Sequence, residues 1–219
     1  MTPALLVIHD TGDPAAGSGW QDLLEGWPGD ALAPDLPGHG EAPPPTGGHY
    51  KAGDAGIAAW RAADYAGVTG DGVWVVGHRW GAFAAEILAA AGRVSRLIVV
   101  DGLGPPWCTA DELVADRHRW LRDVLADPAS LEPPVAAPDP RLAHGYPSIW
   151  EHDFIRRLRR AITIPVLAIE SSHSPTPPDE RDERLSDYTG PTTLMYAAGH
   201  LPGAVISCLR HVGWLPQTP

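Results

Sequence analysis

The sequence is poor in the features that mark several classes of protein. Its 219 residues include only two cysteines, too few for a disulfide framework. Sixteen basic against 27 acidic side chains give a net charge of −11, which repels nucleic-acid phosphates and anionic lipid surfaces. The apolar runs, such as AFAAEILAAAG, fall short of the roughly 18 residues that cross a bilayer. We therefore expect no nucleic-acid or membrane partner, and a cytoplasmic location because MTPALLVIHD lacks a signal-peptide pattern.

What the sequence does contain is a repeated alternation of apolar runs and helical segments. Six short runs rich in Val, Ile and Leu are separated by helical patterns, which is typical of an α/β protein with a mostly parallel sheet and helices on both faces. About 60 residues separate the fourth run from the fifth, more than a simple connection needs. This spacing predicts one domain over residues 1–219 with a helical lid insert at about 105–162. The six runs are residues 4–10, 30–36, 72–78, 96–102, 164–170 and 192–198.

Ligands of parallel α/β sheets bind at the carboxyl ends of the strands. The residues that follow each apolar run are therefore the candidates for a functional site. They are His9, Asp10, Thr11, His78, Arg79, Trp80, Asp101, Glu170, His173 and His200.

Four motifs resemble those of the α/β-hydrolase superfamily, in its esterase and lipase-like group. HDTG at 9–12 resembles the oxyanion loop, DLPGHG at 35–40 a Gly-rich turn, GHRWG at 77–81 the G-x-S-x-G nucleophile elbow, and AAGHLP at 197–202 the loop of the catalytic histidine. The resemblance spans nearly the whole chain in the right order. It implies an α/β-hydrolase fold in which the first two family strands are missing, with Gly77 and Gly81 giving strand and helix room to pack at the elbow.

The resemblance breaks at the catalytic residues. Arg79 stands where the family has its serine, and a permanently protonated guanidinium cannot act as a nucleophile. His173 holds the usual place of the acid, so only His200 remains in register. Because a helix N-terminus favours anions, Arg79 at that position should be accompanied by a negative group. The sequence leaves open whether this group is Asp10 or a bound ligand.

Three functions are compatible with this pattern. The first is a non-covalent acid/base enzyme (lyase, cyclase, decarboxylase or water-activating hydrolase) acting on a small acidic or carbonyl metabolite. In that enzyme Arg79 and His200 would be catalytic, with Asp101, Glu170 or Asp179 orienting His200. The second is a catalytically inactive binding or regulatory protein, and the third a residual esterase using another nucleophile. The remaining strand-end residues would bind the substrate or its oxyanion: His9, Asp10, Thr11, His78, Trp80 and His173.

The other sequence features receive simpler interpretations. No cofactor or metal is predicted, because the histidines lack a known ligand spacing and Arg79 would repel a cation. A homodimer stays open. Cys108 and the serines at 171, 172 and 174 are the nucleophiles that a residual esterase would use. The charge runs RRLRR at 156–160 and PPDERDER at 177–184 are interpreted as a solvated helix face and an exposed loop.

Overall fold

The computed structural model describes residues 3–11, 19–45, 51–70, 72–104, 107–126, 150–198 and 201–217. All six predicted strands form, as do the helices expected between them. None of the helices in these ranges is long and apolar enough to cross a membrane. The strands are β1 Leu5–Ile8, β2 Ala31–Leu32, β3 Trp74–His78, β4 Arg96–Val100, β5 Trp107–Cys108, β6 Trp150–Glu151, β7 Val166–Glu170 and β8 Thr192–Tyr196. The α-helices are α1 Gln21–Gly26, α2 Ala52–Tyr65, α3 Trp80–Ala90, α4 Ala110–Ala126, α5 His152–Arg160, α6 Arg181–Ser186 and α7 Leu201–His211.

The main sheet confirms the predicted α/β class. Its strand order is β2-β1-β3-β4-β7-β8, and every neighbouring pair is parallel. Strands β1 and β7 are buried along their whole length, and β3 and β4 along all but one residue, which explains their continuous apolar runs.

Each face of the sheet packs against its own pair of helices. Successive side chains of a strand point to opposite faces. Leu6 and Ile8 of β1 accordingly join the core formed with α2 and α3, whereas Leu5 and Val7 join the core formed with α1 and α7. Helix α3, which carries the elbow residue at its start, is thus fixed against the middle of the sheet.

The segment between β4 and β7 contains helices α4 and α5. A short parallel pairing of β5 with β6, in which residue 107 faces residue 150, joins the start of this segment to the residues just before α5. Helix α5 packs on α3 through the edge-to-face rings of Phe83 and Phe154, whose centroids are 5.9 Å apart. Residues 127–149 lie outside the described ranges, and the lid function of this insert stays a prediction.

The run RRLRR is not wholly solvated, contrary to the sequence interpretation. Arg159 is fully buried, and its Nε donates a hydrogen bond to the carboxylate of Glu86 on α3 at 3.0 Å. Its Nη2 donates to the carbonyl of Leu103, also at 3.0 Å. Tyr188 donates its hydroxyl to Glu86, and burial raises the pKa of this phenol well above its usual value, so it stays protonated.

The run PPDERDER is also not an exposed loop. It forms a 3₁₀ turn at Pro178–Glu180 and helix α6, and two of its arginines are buried. Arg184 donates to the carbonyls of Leu103 and Gly104 at 2.9 and 2.6 Å. The helical spacing turns both arginines inward: Arg184 binds the backbone just after β4, and Arg181 donates to the carbonyl of Thr176 at 3.2–3.3 Å.

Candidate functional site

Arg79 occupies the tip of a sharp turn between β3 and α3. Its backbone has φ 48° and ψ −113°, a conformation that a non-glycine residue adopts only at a cost of about 1–3 kcal/mol. Its N–H donates to the carbonyl of Val100 at 2.9 Å, and its carbonyl accepts from the N–H of Ala82 at 3.0 Å. The turn therefore has the geometry of a nucleophile elbow, with an arginine at the exposed position.

The two elbow glycines permit close contact between strand and helix. A Cβ on Gly77 would lie 2.4 Å from the Cα of Ala82. A Cβ on Gly81 would lie 2.3 Å from the carbonyl oxygen of Ile8 and 2.4 Å from that of His9. All three distances are too short for any side chain, so the predicted need for glycine at these two positions is confirmed.

The guanidinium of Arg79 has two contacts on opposite loops. Nη1 lies 3.8 Å from Oδ2 of Asp10, and Nη2 donates to the carbonyl oxygen of His173 at 3.3 Å. The side chain keeps 41% of its surface exposed. A loose pair at this exposure contributes at most about 1 kcal/mol, so the cation remains available to a ligand.

Asp10 places a carboxylate oxygen against two backbone N–H groups. Its Oδ1 accepts from Thr11 at 2.8 Å and from Trp80 at 3.3 Å. In α/β-hydrolases the oxyanion is bound by the N–H of the residue after the nucleophile and by an N–H of the loop after a neighbouring strand. Trp80 follows the elbow residue, and Thr11 lies in the loop after β1. The carboxylate of Asp10 thus joins the loop after β1 to the first turn of α3.

Two histidines fix the loop that carries Asp10. Nε2 of the buried His9 accepts from the N–H of Leu36 at 3.3 Å, so the ring is neutral and donates from Nδ1 to the carbonyl of Asp10 at 2.7 Å. Nε2 of His39 lies 3.0 Å from the carbonyl of Thr11, and the two rings meet edge-to-face at 4.8 Å. The hydrogen bonds of His9 therefore orient this loop.

A cleft of about 730 Å³ lies beside the elbow. His78 lines it and packs edge-to-face on Trp20, with ring centroids 5.4 Å apart. Arg79 is not part of the lining, but its hydrogen bond to His173 brings it to the wall of the cleft. His200 lies outside the described residues. The lining residues are Gly19, Trp20, His78, Ser171, Ser172, His173, Ala197, Ala198, Leu201 and Pro202.

The fold is shared with solved structures of several hydrolases. The chain superposes on a thermophilic esterase from Thermogutta terrifontis, described as malate bound, with a TM-score of 0.70 and 19% identity over 98% of this chain and 90% of the esterase. The chain has the α/β-hydrolase fold. An enol-lactonase from Burkholderia xenovorans LB400 superposes with a TM-score of 0.67 and 17% identity, over 99% of this chain and 92% of the lactonase. The thioesterase domain from the curacin biosynthetic pathway superposes with a TM-score of 0.66 and 18% identity, over 95% of this chain and 90% of the thioesterase domain.

Comparison by sequence adds nothing to this result. No family model matches the chain, and a search of curated proteins finds no match. Identities below 20% establish the α/β-hydrolase fold alone, since one fold supports many activities.

The carboxylate of Asp101 is bound by its own neighbours. Asp101 is buried with φ 46°, and its two oxygens accept from the backbone N–H and the hydroxyl of Ser171, both at 2.6 Å. The strained conformation places it at the end of β4, next to the elbow strand. Because both oxygens hold Ser171, this carboxylate positions the loop after β7.

Glu170 has a different environment from Asp101. It is buried at the end of β7, accepts a hydrogen bond from the hydroxyl of Ser174, and lies 3.5 Å from Nε of Arg181. Burial raises the pKa of this carboxyl above its usual value. Asp179, the third candidate, is exposed in the 3₁₀ turn. Which of these acids orients His200 stays a prediction.

The alternative nucleophiles have no elbow-like surroundings within the described residues. The hydroxyls of Ser171 and Ser174 donate to carboxylates, and that of Ser172 lies 3.4 Å from Nδ1 of the neighbouring His173. The side chain of Cys108 lies outside the described residues. No group of three or more His, Cys, Asp or Glu side chains in the described ranges could hold a metal ion.

The sequence did not reveal two of these relationships. The hydrogen bond from the N–H of Trp80 to Asp10 joins residues 70 positions apart, and the bond from Ser171 to Asp101 joins another distant pair. One signal was available for the first pair: an aspartate follows His9 where the family commonly has glycine. A side chain at that position can reach the helix N-terminus, which a glycine leaves open.

Proposed function

We propose that this protein binds a small organic acid or carbonyl compound beside the elbow, with Arg79 as the anchoring cation, and that it forms no covalent acyl intermediate. The observation that carries this conclusion is the arrangement of Arg79 and Asp10. Acyl transfer requires a nucleophile at the elbow and free N–H donors for the oxyanion. Here a cation replaces the nucleophile, and a carboxylate accepts from Thr11 and Trp80 at the corresponding donors.

The contacts of Arg79 favour an anionic or polarised ligand. Its 3.8 Å separation from Asp10 is longer than a bidentate guanidinium–carboxylate bond, so a ligand carboxylate would pair with it more closely. Separating this loose pair costs at most about 1 kcal/mol. The strained backbone of Arg79 also supports a functional role, because such strain persists mainly where a site depends on it.

Two functions share this binding site. In the first, His200 moves a proton of the bound ligand or of water while Arg79 stabilises the negative charge, as in elimination, cyclisation, decarboxylation or lactone opening. It is supported by the cleft, which is lined by the nearest described residues on both sides of position 200, Ala198 and Leu201. In the second, the protein binds its ligand without turnover. The carboxylate of Asp10 at the oxyanion position favours this alternative.

Calorimetric titration tests the binding site. Malate is the first probe because the structurally similar esterase is described as malate bound, and malamide is its uncharged counterpart. We expect malate to bind the wild type, to lose binding in Arg79→Met, and to retain it in Arg157→Met, which removes an exposed arginine of α5. Equal affinity of malate for all three proteins, or of malate and malamide for the wild type, would contradict the proposal.

A turnover experiment separates the two functions. Small 2-hydroxy acids, 2-keto acids and lactones are incubated with the wild type and with His200→Ala, and products are followed by proton NMR. Product formed by the wild type and lost in His200→Ala supports the acid/base enzyme. Binding by both proteins without product from either supports the binding protein.

A further inference from the structure

A second cavity lies between helices α2 and α3, apart from the cleft at the elbow. Its volume is about 370 Å³, and it shares no lining residue with that cleft. We call it the α2–α3 groove. It is lined by Gly53, Ile57, Trp60, Arg61, Ile87, Leu88, Ala91 and Arg93.

The lining of the groove is mainly apolar. Ile57 leaves 51% of its surface exposed, and Trp60 and Ile87 are only partly buried. Large apolar side chains exposed together along one groove favour an occupant, since covering them contributes roughly 25 cal/mol for each Å² removed from water. The occupant must therefore present an apolar body.

Gly53 leaves the groove open, although its backbone conformation does not require glycine. It is the second residue of α2, and glycine loses more backbone freedom in a helix than alanine does. A Cβ on Gly53 would meet nothing within 4 Å, so no neighbour requires its small size. Gly56 differs, because its Cβ would lie 3.1 Å from the carbonyl of Ala84 where the two helices touch.

Two arginines give the groove its charge. Arg61 and Arg93 both line it and are exposed, and the described part of the chain provides neither guanidinium with an ion-pair partner. The whole chain carries a net charge of −11, so two exposed arginines lining one groove contrast with the acidic character of the chain. Guanidinium groups at an apolar groove recognise a carboxylate attached to an apolar body.

We propose that the α2–α3 groove is a second ligand site, which binds an amphiphilic carboxylate such as an aryl acid or a medium-chain alkyl acid. The apolar part lies on Ile57 and Trp60, and the carboxylate lies between Arg61 and Arg93. Ligand pockets start at about 300 Å³, so the groove accommodates one small molecule of this class. The inference is independent of the proposed function, because no elbow residue takes part in it.

Octanoate is the probe, with octylamine and octanol as probes of equal chain length and different head-group charge. Titrations use Arg79→Met protein, so that a carboxylate site at the elbow makes no contribution. We expect octanoate to bind with 1:1 stoichiometry and octylamine to bind more weakly. Arg61→Gln combined with Arg93→Gln should weaken octanoate binding about five- to thirtyfold and leave octanol unchanged. Arg157→Gln with Arg160→Gln removes two exposed arginines of α5 and is the matched control.

Gly53→Leu tests the location of the site by filling the groove. We expect it to abolish octanoate binding while the free energy of unfolding is maintained, because its side chain enters open space. The proposal would be overturned if octanoate did not bind, or if octylamine bound as tightly as octanoate. It would also be overturned if the affinity for octanoate were unchanged in both Gly53→Leu and the double variant of Arg61 and Arg93. A dimer that sedimentation detects in the parent protein and that Gly53→Leu dissociates would also overturn it, because the occupant would then be a second copy of the chain.

Discussion

Oδ1 of Asp10 lies 3.3 Å from the backbone nitrogen of Trp80, at the first turn of helix α3. The same carboxylate lies 3.8 Å from the guanidinium of Arg79. The helix N-terminus therefore has an anion supplied by the protein itself, Asp10, and this anion accompanies the cation at the elbow. An anion at this place is stabilised by the helix dipole, whereas an unaccompanied cation is disfavoured. The carboxylate of Asp10 and the guanidinium of Arg79 are therefore electrostatically complementary at this helix N-terminus.

Replacing the elbow arginine by glycine should stabilise the fold more than replacing it by alanine. At φ 48° alanine keeps the backbone strain and glycine relieves it. We expect Arg79→Gly to exceed Arg79→Ala by about 1 kcal/mol in the free energy of unfolding, measured by urea denaturation. A more stable alanine variant would show that the elbow is not strained in this protein.

Two glycines at the second position of a helix should respond to alanine in opposite directions. A Cβ on Gly81 would lie 2.3 Å from the carbonyl oxygen of Ile8, so Gly81→Ala must shift the backbone and should destabilise by about 3 kcal/mol. Gly53→Ala enters open space and should stabilise by about 0.5–1 kcal/mol. Thermal unfolding of both variants measures the difference. Equal effects would contradict the close packing at the elbow.

The buried pair of Arg159 and Glu86 should be costly to break from either side. Arg159→Met or Glu86→Gln leaves an uncompensated buried partner, and we expect each to lower the free energy of unfolding by about 3–5 kcal/mol. Combining Arg159→Met with Glu86→Gln removes both charges, so its loss should be smaller than the sum of the two single losses. Additive losses in urea denaturation would show that the two side chains are not coupled.

Glu170 should make stability fall as the pH rises. Burial holds the pKa of this carboxyl above 4.5 despite Arg181 at 3.5 Å, so the folded state binds the proton more tightly than the unfolded state. The stability of the wild type relative to Glu170→Gln should therefore be greatest below pH 4.5 and should decline as the pH rises through the raised pKa. Glu25→Gln, which removes an exposed carboxylate of α1, controls for the lost charge. A difference that grows with pH would contradict this sign.

The parallel sheet could be predicted from the sequence, because the continuous apolar runs of this chain indicate strands that are buried on both faces. The elbow was also predictable from its two glycines, since a Cβ on either one would lie about 2.4 Å from an atom of a neighbouring segment. The buried arginines were not predicted, because charge runs are usually solvated. Their helical spacing carried the signal: Arg159 lies four residues after the buried Ile155, on the same face of α5.

The site was less predictable than the fold, because its decisive contacts join distant parts of the chain. The sequence indicated that Arg79 needs an anion, but it could not distinguish Asp10 from a ligand. The hydrogen bond between Asp10 and Trp80 depends on how closely the loop after β1 approaches α3. That distance is set by the packing at Gly81. A residue pattern alone does not contain such a distance.

Covalent labelling of the elbow tests the central claim most directly. Wild type, Arg79→Ser, and Arg79→Ser combined with Asp10→Gly are incubated with a fluorophosphonate, and the adduct is read by intact mass. The account predicts no adduct on the wild type and clearly more on the double variant than on Arg79→Ser, because only the double variant has a nucleophile and free oxyanion donors. An adduct on the wild type, or equal labelling of the two variants, would contradict it.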